Sequence, residues 1–315
     1  MEWMFLHSPR AFALSAVALA LSAIGCHRPH HETAAESGAP ITSLFEGDSA
    51  YNHMMVSEHG SERCLVFGAF LARKSRATCV DTVDEDRHVF DYTAKMFVGF
   101  MLRPETTNVA TLGLGGGMVA RTFARHLPTV TLDAVEIDPL VVKLAREYFK
   151  FTETKNVHLV IDDGRQFLHK TTNRYDQIWV DAFNSDYIPA HMTTREFLVE
   201  ARNKLKPGGL LVTNVHSPNQ LFLAQVATHR AVFRSVRVFR CNNNYNAIIV
   251  ASDAELPSTP EAMQAVELKP LRSIPGVNLA GVARTLTEVS TGTAPTLTDD
   301  YGPANLLLQK QAPAL

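Results

Sequence analysis

Two rhythms of apolar residues divide the chain. Between Ser49 and Asp91, branched and aromatic residues fall in short runs, YNHMMVSEHG, RCLVFG and RATCVD, separated by turn-forming residues. That pattern predicts a small antiparallel β domain over residues 49–90. From Phe90 to Leu102 the spacing lengthens to Phe90, Ala94, Phe97 and Met101, which predicts one helix leading into a larger domain over residues 91–315.

Beyond that helix the two rhythms take turns. Apolar runs at Val109–Leu112, Val130–Val135, Val157–Ile161, Tyr175–Val180 and Leu210–Asn214 read as strands. Each is followed by a helix-compatible stretch: Met118–His126, Pro139–Phe149, Gly164–Lys170, Thr194–Leu205 and Asn219–Phe233. Pro139 suits a first helical turn, and Lys206-Pro207-Gly208-Gly209 closes the fourth helix. Val236–Cys241 and Ala247–Ala251 then flank the polar turn NNNYN with no helix between them. Five strand–helix units and a terminal hairpin imply an α/β fold, a parallel sheet with a reversed strand at its end. Such a sheet resembles the Rossmann-like sheet of class I S-adenosylmethionine-dependent transferases.

The N-terminus follows neither rhythm. Ala11 to Gly25 is an uncharged run of fifteen residues, short for a membrane span, and it ends in Ala23-Ile24-Gly25-Cys26. It reads as a signal peptide over residues 1–25 of the lipoprotein type, with Cys26 as the lipid-anchored first mature residue in the cell envelope. The leucine usual three residues before such a cysteine is absent, and an uncleaved anchor or ordinary secretion are the alternatives. Residues 26–48 read as a flexible linker, in which His27, His30 and His31 lack further groups to complete a metal site. Export changes how the cysteines read: Cys64 and Cys79 either pair in an oxidising compartment or stand as two buried thiols, while Cys241 belongs to a buried strand.

Composition narrows the partners. The 315 residues are 46% apolar and 20% charged, ordinary for a globular chain, and the formal charge of −2 offers no bulk attraction for nucleic acid. A small molecule is the expected partner. The candidate site for it is TLGLGGGMVAR, Thr111 to Arg121, where a strand runs into Gly113, Gly115, Gly116 and Gly117 and a helix leaves. Glycines there let the backbone approach a ligand, and the helix-opening N–H groups suit a polar one. The next strand ends in Glu136, whose carboxylate can accept both hydroxyls of a ribose. Together they predict a nucleoside site.

GLGGGMVAR, VEIDPLVVKLAREYF, DDGRQFL, YDQIWVDAFNSDYIPAHMTTREFL and LTDDYGPANLL, in this order, resemble the spermidine synthase-like proteins of the polyamine aminopropyltransferase superfamily. The likeness is greatest to the bacterial branch often fused to membrane transporter domains, and it runs from about Tyr51 to Leu308. It implies that Gly115, Gly116, Gly117 and Glu136 bind the nucleoside, that Asp163-Gly164 lies beside the adenine, and that Asp181 stands at the reacting centre. The implied co-substrate is S-adenosylmethionine or its decarboxylated form, without a metal, and the implied assembly is a homodimer. In aminopropyl transfer an amine nitrogen attacks the carbon beside a sulfonium, so it must be held, aligned and unprotonated, which is work for carboxylates.

The chain departs from that family on the amine side. Met118 replaces an aspartate that follows the glycines, and Asn184 replaces the aspartate that serves as general base. Asn52, beside Tyr51, takes the place of a glutamine, and a Tyr-His-Glu motif is replaced around Asp91-Tyr92-Thr93. Asp186 is either a substitute carboxylate or an exposed loop acid. The acids of LTDDYGPANLLL read as helix-capping rather than catalytic. Three functions are compatible with these residues: an aminopropyltransferase-like enzyme, a methyltransferase with an uncharged acceptor, and a non-catalytic envelope protein that binds a nucleoside or polyamine.

Overall fold

The computed structural model describes residues 40–68, 76–183, 188–217, 219–242, 245–264 and 274–310. The leader, Cys26 and most of the linker lie outside these residues. Strands β1 (Thr42–Asp48), β2 (His53–His59), β3 (Glu62–Phe67) and β4 (Arg76–Asp81) pair in that order as an antiparallel sheet. β1 is a correction, because it occupies residues assigned to the linker. No position along it is fully buried, so this edge strand carries no hydrophobic alternation to read.

The two faces of the small sheet have different tasks. Met54, Val56, Leu65, Phe67 and Val80 pack with Met118, Val141, Leu144 and Phe149 in one cluster, so the sheet shares a core with the larger fold. On the other face Cys64 stands directly opposite Cys79, and a disulfide joins them, their Cα atoms 4.1 Å apart. The expected single helix over Phe90–Leu102 is two, α1 (Asp91–Lys95) and α2 (Val98–Leu102). Tighter bonds from Phe97 N to Ala94 O and from Phe100 N to Phe97 O separate them. Phe97 and Phe100 then both meet Trp179, with ring centroids 5.1 and 6.1 Å away.

The large sheet contains the five expected parallel strands: β5 (Asn108–Leu112), β6 (Thr131–Glu136), β7 (Val157–Ile161), β8 (Tyr175–Val180) and β9 (Leu205–His216). The hairpin β10 (Ser235–Arg240) and β11 (Asn246–Ser252) joins antiparallel, and a two-residue strand, β12 (Leu286–Thr287), was not foreseen. β9 begins five residues before the expected Leu210, because Lys206 to Gly209 bulge within the strand instead of closing a helix. The connecting helices are α3 (Met118–His126), α4 (Pro139–Tyr148), α5 (Gly164–Lys170), α6 (Arg195–Lys204) and α7 (Gln220–Val232); short helices α8 (Pro260–Gln264), α9 (Leu279–Ala283) and α10 (Ala304–Leu308) follow.

Side chains alternate between two cores. Trp179 points into the one beneath α1–α3, while Ile178 and Val180 point into the one beneath α5–α7. The strand order β10-β11-β9-β8-β5-β6-β7 reverses direction between β5 and β8. Ligand crevices in such sheets open at the carboxyl ends of the strands at that reversal, where Leu112 and Val180 end. No helix among the described residues is long and apolar enough to cross a membrane.

Candidate active site

The glycine turn leaves β5 at Gly113, whose φ is 114°. A Cβ there would stand 2.3 Å from the Asp181 carbonyl oxygen, so only glycine lets β5 turn this close to the end of β8. The contact is reinforced where Asp181 N donates to Leu112 O at 2.9 Å. Gly116 meets protein rather than ligand space: a Cβ would lie 2.9 Å from Thr78 Cγ2 and 3.0 Å from the Phe149 ring. Gly117 likewise backs onto Phe151.

Glu136 ends β6 beside that turn. Leu114 N donates to its Oε2 and Asp138 N to its Oε1, both at 3.1 Å, and the Gly115 amide also donates to the carboxylate. Burial pushes this carboxyl above its ordinary pKa against those bonds. Asp138 caps α4 through Leu140 N and accepts from the Ser49 hydroxyl at 2.5 Å. The Ser49 oxygen in turn accepts from the amides of Tyr51 and Asn52, each at 3.0 Å, so the β1–β2 turn is fastened at the mouth of the site.

Asp163 and Gly164 begin α5. Asp163 accepts from Gln166 N at 2.9 Å and pairs with His191 Nε2 at 3.1 Å; the His191 bond holds its carboxyl below the ordinary range, against burial. Asp181, one residue past β8, is placed differently. Its Oδ1 accepts from Asn214 Nδ2 at 2.8 Å, and the Tyr92 hydroxyl donates to the same carboxylate. Burial pushes Asp181 up to about 7; the two donors resist, and the nearby charge of Glu136 adds to the rise. A carboxyl balanced near neutrality at the bottom of a cleft is suited to exchanging a proton.

One cavity of about 400 Å³ gathers Tyr51, Asn52, Gly113, Gly115, Met118, Glu136, Asp163, Gly164 and Asp181. Gly116 and Gly117 are not on its wall. Asn184 and Asp186 lie outside the described residues. The wall also includes Tyr92 and Thr93, from the stretch where the Tyr-His-Glu motif is replaced, and groups that the sequence did not single out, among them Thr78, Ile137, His191 and Met192. Ile137 was signalled by its place after Glu136, and His191-Met192 by their place in a quoted motif. Thr78 carried no signal, since it reaches the cavity only through the docking of the small sheet. Met118 meets Phe67 and Val141 there, giving an apolar wall where the family has an acid. Among the described residues no three His, Cys, Asp or Glu side chains gather as a metal site.

Residues 89–251 match the model of the spermine/spermidine synthase domain. A polyamine aminopropyltransferase of Vibrio vulnificus is 33% identical over 276 residues, covering 84% of this chain and 91% of that protein. A probable spermidine synthase of Corynebacterium glutamicum superposes with a TM-score of 0.66 at 21% identity, over 81% of this chain and 96% of that one. Human methyltransferase-like protein 13, in complex with SAH, superposes with a TM-score of 0.52 at 22% identity, over 69% and 99%. With its α/β sheet, its preceding antiparallel sheet and these matches, the chain belongs to the spermine/spermidine synthase family.

Proposed function

We propose that this protein transfers the aminopropyl group of decarboxylated S-adenosylmethionine to an acceptor amine. The observation that carries the reading is that Asp181, poised near 7, shares one cavity with Glu136 at the sheet reversal. Glu136 takes the ribose hydroxyls, sharing its oxygens with the backbone amides that already point at them, and Asp163 lies beside the adenine. The amine enters as an ammonium drawn to Asp181 and gives it one proton. The freed nitrogen pair bonds to the carbon beside the sulfonium, the C–S pair stays on sulfur, and methylthioadenosine leaves. The low-polarity surroundings that raise Asp181 also strengthen its attraction for the ammonium.

The apolar wall at Met118 favours a second reading, a methyltransferase that uses S-adenosylmethionine and an uncharged acceptor. One experiment separates the two. The mature chain is titrated by calorimetry with S-adenosylmethionine, its decarboxylated form and methylthioadenosine, then incubated with a panel of amines and followed by mass spectrometry. A mass gain of one aminopropyl group supports the first reading and a methyl gain the second. Binding without product would indicate a nucleoside-binding envelope protein, and no binding would sink both enzymatic readings.

The protein is further proposed to be an exported lipoprotein anchored at Cys26. The uncharged run before that cysteine supports this, as does the Cys64–Cys79 disulfide, a bond typical of oxidising compartments. The test is the N-terminal mass of protein isolated from its native host; a chain that keeps Met1 or starts elsewhere overturns it.

A further inference from the structure

Asn214 lies in β9, beside β8, and is 1% exposed, unusual for an amide in the middle of a sheet. Its Nδ2 donates to Asp181 Oδ1 at 2.8 Å, and its own Oδ1 accepts from Asn246 Nδ2 of β11 at 3.0 Å. The chain of bonds runs across the sheet from β11 through β9 to the end of β8, and it ends on the carboxylate that lines the cavity. A buried apolar side chain at position 214 would need no partner, as its neighbours Val212 and Val215 need none. A primary amide neither gains nor loses a proton near neutral pH. What it offers a carboxylate is a fixed donor.

We propose that Asn214, braced from behind by Asn246, is a positioning residue that pins Asp181 Oδ1 and so fixes how the carboxylate faces the amine nitrogen that loses its proton. The inference rests on the aminopropyl-transfer reading for its consequence and on the hydrogen-bond chain for its geometry. Other groups also face Asp181: the Tyr92 hydroxyl from α1 donates to it, and Glu136 from β6 adds like charge. Cys241, which acts on Tyr92, is a thiol that burial pushes up to about 12, so it stays neutral. Burial also keeps the Tyr92 hydroxyl protonated, so of the two donors Asn214 is distinguished by the second amide that holds it in place.

The test uses the full mature chain with Asn214→Leu and Asn246→Leu. Infrared difference spectra across a pH series report the protonated carboxyl band, assigned to Asp181 by its loss in Asp181→Asn. Removing a donor to a charged group should raise the midpoint by about one pH unit or more in Asn214→Leu. Asn246→Leu should give a smaller rise in the same direction. The acid limb of kcat/KM should move with the midpoint while nucleoside affinity by calorimetry stays put. A midpoint unmoved in both variants overturns the proposal, as does lost turnover with an unchanged pH profile. If no amine is turned over, the infrared midpoint still decides the positioning role, and only the reading of the reaction falls. Should Asn214→Leu fail to fold, Asn246→Leu, one bond further from the cavity, carries the measurement.

Discussion

Thr78 touches the glycine turn: a Cβ on Gly116 would lie 2.9 Å from Thr78 Cγ2, and Thr78 is the residue before Cys79. The small sheet therefore reaches the candidate nucleoside site through the strand that its disulfide holds. The disulfide closes a loop with a sequence separation of 15. A loop of that size contributes about 3 kcal/mol through the unfolded chain. Replacing both Cys64 and Cys79 by Ser should lower stability by about that amount, and it should weaken nucleoside binding because β4 is released. Thermal unfolding with and without a reducing dithiol checks the first effect and calorimetry the second; an unchanged melting temperature on full reduction refutes the first, and an unchanged affinity the second.

Glu136 is held by backbone amides on either side, those of Leu114 and Asp138. Glu136→Ala removes the carboxylate that the ribose would meet and also frees the turn that follows β5. Losing a hydrogen-bond acceptor of this kind costs about 1.5–3 kcal/mol, roughly a ten- to hundredfold weaker affinity for methylthioadenosine. The circular dichroism spectrum should be unchanged, since the cores on both faces of the sheet do not include this side chain. Unaltered affinity would show that the nucleoside lies elsewhere.

The parallel sheet was legible because its central strands β5, β8 and β9 are buried on both faces and read as apolar runs, and the glycine turn was legible because one residue type alone tolerates its backbone. The edges were not. β1 has no buried position, β12 is two residues long, and the break between α1 and α2 falls at Phe97, which packs on Trp179, distant in sequence. Nor does any spacing announce that Tyr92 and Asn214 meet on Asp181, because α1 and β9 approach it only in the folded sheet. The tail acids do not cap the helix that follows them, since α10 starts after Pro303 with no side-chain cap and no acid in its first turn. Asp299 accepts from the Thr194 hydroxyl at the start of α6 and from both terminal nitrogens of Arg165, so it has a structural task away from the cavity.

Asp176 shows how the floor of the sheet is secured. This carboxylate, 3% exposed, accepts from the amides of Thr107 and Asn108 and from Arg103 and Lys206. Burial alone would raise its pKa, yet Lys206, the two amides and Arg103 hold it down to about 2. The folded value lies below the ordinary 3.8, so the group's stabilisation is present at neutral pH and is lost as pH falls from about 4 through 2. Asp176→Asn leaves two partly exposed cations, Arg103 and Lys206, short of a counter-charge and should cost about 2 kcal/mol at pH 7. Urea unfolding should find that gap narrowing in acid; a gap that does not depend on pH would mean that packing, not charge, is what the substitution removes.

Asp181 should behave in the opposite sense, and the contrast tests its candidate role. Its folded value, about 7, lies above the ordinary 3.8, so between these limits the folded state keeps a proton that the unfolded chain releases. Stability then falls as pH rises, by about 1.4 kcal/mol per unit over that window, and the loss is complete above 7. Asp181→Asn cannot ionise and still accepts from Asn214. The variant should therefore be more stable than the parent at pH 8, by up to about 4 kcal/mol, while the two converge near pH 4. It should also lose turnover, since an amide cannot take the ammonium proton. Gained stability with lost activity is the mark of a group held in an unfavourable state for its chemistry. If parent and variant unfold alike at pH 8, burial does not hold the proton on Asp181, and the general base must be sought elsewhere in the cavity.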